Sequence, residues 1–110
     1  MMIRMAQVIG LKPEEMEEYK RLHADVWSGV LAKIHDCGIR NYSIFLREPE
    51  MLMFAYMEYH GDDWEADQAK MAADPETQRW WAINEPKQAP LDTRAEGEWW
   101  APMEEVFHVD

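Results

Sequence analysis

Apolar residues recur at two different spacings along the chain, and the order of these spacings restricts the possible folds. Residues 3–9 alternate in the manner of a β-strand. The next apolar residues step by three and four, as they do along one face of a helix. This stripe consists of Met16, Tyr19, His23, Val26, Trp27, Val30 and Ile34. We predict one helix here, with Pro13 in its first turn and Gly38 as its left-handed stop.

The remaining segments continue the alternation of strands and helices. IRNYSIFL and MLMFAYMEY are two β-rich runs, and the short polar link REPE between them predicts a hairpin. GDDWEADQAKMAAD is typical of a second, weaker helix. With Asp74 as the N-cap and Pro75 at the first helical position, this second helix restarts as PETQRWWAIN. We predict a long loop over residues 85–102 and a final strand, MEEVFHV.

This β-α-β-β-α-β order predicts an α+β protein with the ferredoxin-like topology, an antiparallel sheet with both helices on one face. Residues 1–110 are too few for a second domain. Both faces of the first strand are apolar, with Met5 and Ile9 on one side and Ala6 and Val8 on the other. One helical layer covers only one of these faces, so we expect a symmetric dimer in which sheet faces sheet.

Charge and cysteine content restrict the classes of partner. The formal net charge is −11, from 22 acidic and 11 basic side chains. This excess argues against nucleic acid and against an anionic membrane surface, both of which attract clustered cations. The single cysteine, Cys37, excludes an internal disulfide. With no signal peptide or membrane-length apolar run, we expect a soluble cytoplasmic protein.

Tyr19 and His23 are the first candidates for a functional site, because positions i and i+4 are neighbours on one helix face. Histidine titrates near neutral pH and transfers protons readily, and a phenol beside it holds a hydroxyl group. The alternative is that both side chains simply fill the core. Taken alone, these two residues favour the core interpretation.

Other aromatic residues could complete such a site. Tyr42 shares strand parity with apolar neighbours, so its hydroxyl needs a partner or lines a pocket. Trp80 and Trp81 project about 100° apart on a helix, so they cannot both bury in one stripe. Indole faces suit the apolar side of a sugar ring, although core or dimer packing explains either tryptophan equally well. For the loop pair Trp99–Trp100 we favour anchoring of the loop over contact with a ligand.

Metal and nucleotide sites have no support in the sequence. The other histidines, His35, His60 and His108, show no metal-ligand spacing with one another or with Cys37. No phosphate-binding loop, dinucleotide fingerprint or nucleophile elbow occurs.

Several short motifs together resemble the L-rhamnose mutarotase family. They are Y-x-x-x-H-x-x-x-W at Tyr19 to Trp27, Asn-Tyr at the start of the second strand, Arg-Trp-Trp in the last helix, and Glu-Val-Phe near the C-terminus. The resemblance extends in order over nearly the whole chain. One departure is Ser28, which follows Trp27 where family members usually have proline.

The resemblance implies a homodimeric α/β-barrel isomerase that interconverts the α and β anomers of L-rhamnose and needs no metal or organic cofactor. It assigns the proton donor to His23. It assigns contacts with the sugar to four further residues, Tyr19, Tyr42, Trp80 and Trp81. A role in carbohydrate catabolism is also implied. The chemistry suits these residues, since mutarotation requires proton transfer but no redox change.

Other functions remain open from sequence alone. Cofactor-free or haem-dependent oxygenases of the dimeric α/β-barrel type share this topology, and a fold does not determine a function. A non-catalytic dimeric sugar-binding module would need the same aromatic residues. Mutarotation of a related sugar, such as L-fucose or L-mannose, is a third alternative.

Overall fold

The computed structural model, which describes residues 2–110, contains an antiparallel five-stranded sheet and four α-helices. The strands are β1 Ile3–Leu11, β2 Ile39–Arg47, β3 Leu52–Tyr59, β4 Gln88–Ala89 and β5 Ala101–Met103. The helices are α1 Met16–His23, α2 Ser28–Asp36, α3 Trp64–Ala72 and α4 Pro75–Asn84. The strand order is β2-β3-β1-β4, and β5 also pairs with β1. The predicted ferredoxin-like topology is confirmed. No helix within the described residues is long and apolar enough to span a bilayer.

The first helical region differs from the prediction, because two helices replace the single long one. α1 ends at His23, and the backbone at Trp27 is extended, with φ −58° and ψ 135°. α2 begins directly afterwards, where the Val30 N–H donates to the Trp27 carbonyl at 3.0 Å. The break lets the Trp27 ring turn onto Trp80 of α4. Tertiary packing therefore overrides the continuous apolar period, and α2 ends as predicted before Gly38, which has φ +85°.

The start of α4 agrees with the sequence prediction. The Asp74 side chain accepts hydrogen bonds from the Thr77 backbone N–H at 2.9 Å and from the Thr77 hydroxyl at 2.8 Å. Pro75 occupies the first turn, where its missing N–H costs no helical hydrogen bond. This cap determines where α4 begins and therefore how Trp80 and Trp81 are rotated toward the sheet.

Two apolar clusters fill the space between helices and sheet. The first, called the Tyr19 cluster here, joins α1 to β1 and β3. Its buried members are Ile9, Leu11, Tyr19 and Met53. The second, called the Cys37 cluster, lies under α3 and the end of α2. Its buried members are Cys37, Ile39, Met57 and Met71. Alternate residues of β3 are buried, so one sheet face meets the helices as the sequence predicted.

The opposite sheet face, called the open face here, carries apolar side chains without a covering layer. Phe45 of β2 lies opposite Phe54 of β3, which in turn lies opposite Val8 of β1. Phe45 is 64% exposed. The expected apolar second face is therefore present, and the four helices do not bury it.

The C-terminal prediction is wrong in part. The strand expected over MEEVFHV, residues 103–109, shares only Met103 with β5, which starts at Ala101. Beyond it the side chains of Arg4 and Glu105 still pair at 2.8 Å, but residues 104–110 form no ladder. In the register of β5 on β1, residues 107–110 would extend past Ile3, where β1 begins, so they have no partner edge in the described chain. Phe107 is consequently 80% exposed.

The loop predicted over residues 85–102 is also shorter than expected. It begins with a 3-10 turn, Glu85–Lys87, followed by β4, and it ends in β5. β4 pairs with the end of β1, where Gly10 faces Ala89 so closely that a side chain at Gly10 would meet its carbonyl oxygen. The irregular part is thus residues 90–100.

Candidate functional site

Helix α1 brings Tyr19 and His23 into direct contact. The two rings are stacked, with centroids 4.1 Å apart and planes 22° from parallel. His23 Nδ1 lies 2.9 Å from the backbone carbonyl oxygen of Tyr19. Tyr19 is buried in its cluster, whereas His23 is only half-buried. The predicted i, i+4 pair is therefore present as a pair, with the imidazole on the more accessible side.

The carbonyl contact determines which imidazole nitrogen can exchange protons. A carbonyl oxygen only accepts hydrogen bonds, so Nδ1 must carry a hydrogen and donate it to Tyr19. Nε2 is then the nitrogen left for proton exchange. Burial lowers the pKa of His23 below 6.5, and the bond to the Tyr19 carbonyl only partly offsets this. At neutral pH the imidazole is neutral and Nε2 holds a free lone pair.

Trp80 forms the second side of the site. Its ring meets the His23 ring edge-on, with centroids 5.2 Å apart and an angle of 61°. Trp27 also packs against Trp80, with centroids 5.2 Å apart and an angle of 69°. Trp80 is 6% exposed, and it packs against His23 at the end of α1 and against Trp27 directly before α2. The His23 ring is therefore confined between a phenol and an indole.

Tyr42 extends from β2 with 37% of its surface exposed, and it lies near Tyr19. The register of β2 shifts between Arg40 and Ser43, and Asn41 adopts a positive φ of 50°. Desolvation raises the pKa of Tyr42 to about 12, and the proximity of Tyr19 adds to this shift. Tyr42 therefore keeps its proton at neutral pH, as a hydrogen-bond donor must.

Trp81 does not join this group. It packs against the Cys37 cluster with Trp64 and Ile34 rather than against His23. The expectation that the tandem tryptophans diverge is confirmed in this respect, with Trp80 at the imidazole and Trp81 on the second cluster. The two tyrosines of β3 donate hydrogen bonds away from this group, Tyr56 to Glu58 and Tyr59 to Asp67.

The sequence did not predict Gln88 as part of the site. It lies in β4 within the segment predicted as loop, and its side-chain amide connects Tyr19 to Trp99. The contact with Tyr19 joins residues 69 positions apart, so no local spacing announces it. Trp99 and Trp100 both anchor the loop, since Trp100 packs against the Tyr19 cluster. This agrees with the interpretation favoured for that pair.

Two surface cavities lie away from His23. One, of about 570 Å³, is lined by the loop from Asp92 to Trp99. The other, of about 430 Å³, is lined by α2 residues, among them Lys33 and His35. Neither is lined by His23, so a pocket beside the imidazole stays a prediction. Within residues 2–110, no group of three or more His, Cys, Asp or Glu side chains converges in a way that could hold a metal ion.

The fold and the site define a class: an α+β protein with a ferredoxin-like sheet whose first helix holds a neutral imidazole between a phenol and an indole. The comparisons narrow this class. The sequence profile of the L-rhamnose mutarotase family matches residues 4–109. The chain belongs to the L-rhamnose mutarotase family.

Individual relatives agree with this assignment. The chain is 33% identical to an L-rhamnose mutarotase of Lactiplantibacillus plantarum, covering 99% of this chain and 100% of that protein. It is also 33% identical to one of Opitutus terrae, with the same coverage of 99% and 100%. The crystal structure of an L-rhamnose mutarotase from Formosa agariphila shares the fold, with a TM-score of 0.76 at 24% identity over 98% of this chain and 99% of that one.

Proposed function

We propose that this protein is a mutarotase that interconverts the α and β anomers of L-rhamnose. Membership in the family supports the substrate. The observation that carries the chemistry is the His23 imidazole, which is neutral, half-buried and restricted to proton exchange at Nε2.

Ring opening moves one proton from the anomeric hydroxyl to the ring oxygen while the bond between the anomeric carbon and the ring oxygen breaks. Neutral His23 accepts the hydroxyl proton at Nε2 and becomes an imidazolium. The electron pair of the breaking bond moves to the ring oxygen, which then takes the proton back from Nε2. Both oxygens are bonded to the anomeric carbon, so one imidazole reaches each in turn. His23 thus acts as the proton donor after first acting as the base.

Closure is the reverse of this sequence. Rotation about the bond between C1 and C2 presents the other face of the aldehyde to the C5 hydroxyl. Nε2 takes the proton of that hydroxyl as the new bond forms and returns it to the carbonyl oxygen. Atoms and electrons balance, and His23 ends neutral.

The aromatic neighbours bind the sugar in this proposal. Tyr19 and Tyr42 hold sugar hydroxyls. Trp80 contacts the apolar C6 methyl side, a role supported by its contact with His23. Trp81 remains a candidate sugar contact from the family pattern, although its packing on the Cys37 cluster favours Trp80.

Saturation-transfer proton NMR tests the activity directly. L-Rhamnose at anomeric equilibrium is irradiated at one anomeric proton, and the loss of signal at the other is followed with and without protein. We expect faster exchange with protein. L-Mannose, which carries a C6 hydroxyl in place of the methyl, should exchange more slowly, and L-fucose tests the ring stereochemistry. No acceleration for rhamnose would refute the substrate, and none for any of the three sugars would refute mutarotation.

We further propose that the protein is a homodimer joined through its open faces and located in the cytoplasm. The Phe45–Phe54–Val8 row gives a second copy an apolar surface to cover. The exposed Phe107 adds apolar area at the chain end. The free, buried thiol of Cys37 suits a reducing compartment.

Replacing Phe45 by Glu is expected to convert the dimer into monomers, because it places a charge in the apolar row at its most exposed member. Sedimentation velocity at micromolar concentrations measures the change. Leu31→Glu is the matched control, since Leu31 is similarly exposed, at 53%, but lies on α2 rather than in the sheet. A monomeric wild type, or a Phe45→Glu protein that still sediments as a dimer, would contradict the proposed interface.

A further inference from the structure

Gln88 lies in a continuous chain of hydrogen bonds that ends at the candidate site. Its Nε2 donates to the Tyr19 hydroxyl oxygen at 3.0 Å. Its Oε1 accepts from the Trp99 indole N–H at 2.7 Å. Gln88 is 7% exposed and its bond to Tyr19 is buried, whereas the bond to Trp99, a side chain that is 39% exposed, is only partly buried. These two hydrogen bonds connect the loop over residues 90–100 with helix α1.

The donor and acceptor groups allow only one direction for these two hydrogen bonds. An indole N–H can only donate, so it must meet the oxygen of the Gln88 amide. The NH₂ group is thereby turned toward Tyr19, and because it too can only donate, the phenol oxygen must accept. Trp99 thus selects the orientation of the amide, and the amide selects the role of the phenol oxygen.

The Tyr19 proton is consequently directed away from Gln88. Within residues 2–110, the phenol hydroxyl has no protein acceptor at hydrogen-bond distance, and its one bond is the one it receives from Gln88. Burial raises the pKa of Tyr19, so the proton stays on the phenol at neutral pH. A protonated phenol whose oxygen already accepts a bond is prepared to donate to a ligand oxygen.

We propose that Gln88, oriented by Trp99, is a positioning residue that makes Tyr19 a hydrogen-bond donor to a sugar hydroxyl oxygen. This inference rests on the proposed function and adds a residue to it. The backbone carbonyl of Tyr19 orients the His23 imidazole. Gln88 in turn orients the phenol side chain of Tyr19. The loop that carries Trp99 thereby affects sugar binding without touching the sugar.

Gln88→Glu is the sharpest test because it reverses the bond and preserves the shape. A carboxylate only accepts, so it still receives the Trp99 N–H but captures the Tyr19 proton. Losing a donor to the sugar should raise the KM for L-rhamnose about five- to tenfold with little change in kcat, which is the loss expected for one hydrogen bond. Gln88→Leu removes both bonds without capturing the proton, so its KM should rise less than that of Gln88→Glu.

A double-mutant cycle with Tyr19→Phe separates positioning from a structural role. If Gln88 acts through the phenol, Gln88→Glu has no further effect on KM in the Tyr19→Phe background. The same rise in both backgrounds would overturn the proposal, as would a folded Gln88→Glu protein with the wild-type KM. Should the buried carboxylate prevent folding, Gln88→Leu and Trp99→Phe are measured in the same two backgrounds and decide by the same criterion.

The activity of the wild type separates this proposal from the proposed function. A wild type that does not accelerate anomer exchange refutes mutarotation. L-Rhamnose affinity by calorimetry then still reports on the Tyr19 contact without turnover. A wild type that is active, with Gln88 variants of unchanged KM and affinity, refutes only the positioning role.

Discussion

His23→Ala is expected to eliminate the accelerated exchange of L-rhamnose anomers while the chain stays folded. Nε2 of His23 is the only atom to which the proposed mechanism assigns proton transfer. A well-placed acid–base group contributes about 10²–10⁴-fold to a rate, so the variant should fall to near the spontaneous exchange. Exchange rates from saturation transfer, compared at equal protein concentration, measure the loss.

Two further variants control this experiment. His23→Asn keeps an amide N–H able to donate to the Tyr19 carbonyl but has no titratable group, so it should be as inactive as His23→Ala. His35→Ala removes an exposed imidazole on α2 and should keep the wild-type rate. An active His23→Asn protein would show that the carbonyl contact matters and proton transfer by the imidazole does not.

Acidification is expected to act on the wild type as the His23 substitutions do. The mechanism begins with neutral His23, so the rate falls as pH drops through its pKa. Burial places that pKa below 6.5. The acid limb of the pH–rate profile should therefore have its midpoint below 6.5. A rate that instead rises on acidification would mean that the imidazolium is the starting form.

The same shift influences stability with a defined sign. The unfolded chain binds a proton at His23 near pH 6.5. The folded chain binds it only at lower pH because burial lowers the pKa. Between the two values the unfolded state holds more protons, so this contribution to stability is present above pH 6.5 and is lost as pH falls. Rates should be compared only where circular dichroism shows the folded protein.

The sequence predicted the topology and the Tyr19–His23 pair because both depend on local spacing. Periods of two and of three to four residues identify strands and helices, and i, i+4 neighbours meet on any helix. The break before Trp27 was missed because the apolar stripe continues through it, and a contact with α4 overrides that stripe. Local pattern does not contain such contacts.

The remaining differences have the same origin. MEEVFHV has the alternation of a strand, but alternation does not supply the partner edge that a strand requires. Gln88 lies in a segment without periodicity, and its importance follows from a contact 69 residues away. The separate environments of Trp80 and Trp81 depend on how α4 is rotated onto the sheet. The divergence of the two rings was predictable, whereas which ring meets His23 was not.

Trp80→Ala is expected to have the largest effect on stability. The indole is 6% exposed and contacts both His23 and Trp27 at 5.2 Å, so its removal leaves a cavity where α1, α2 and α4 meet. Substituting a buried tryptophan by alanine costs about 3–5 kcal/mol. Against a total of about 5–15 kcal/mol for a typical domain, this should lower the denaturant midpoint markedly.

Trp81→Ala is the matched control for Trp80→Ala. The neighbouring tryptophan is only half-buried on the Cys37 cluster, so its loss should lower the denaturant midpoint less and leave the His23 environment intact. Trp80→Phe keeps an aromatic edge beside the imidazole and should retain more stability and more activity than Trp80→Ala. Equal midpoints for Trp80→Ala and Trp81→Ala would contradict the contacts described for α4. Tyr19 alone would then hold the His23 ring in place. The Trp80 indole would no longer be the surface that contacts the sugar methyl in the proposed mechanism.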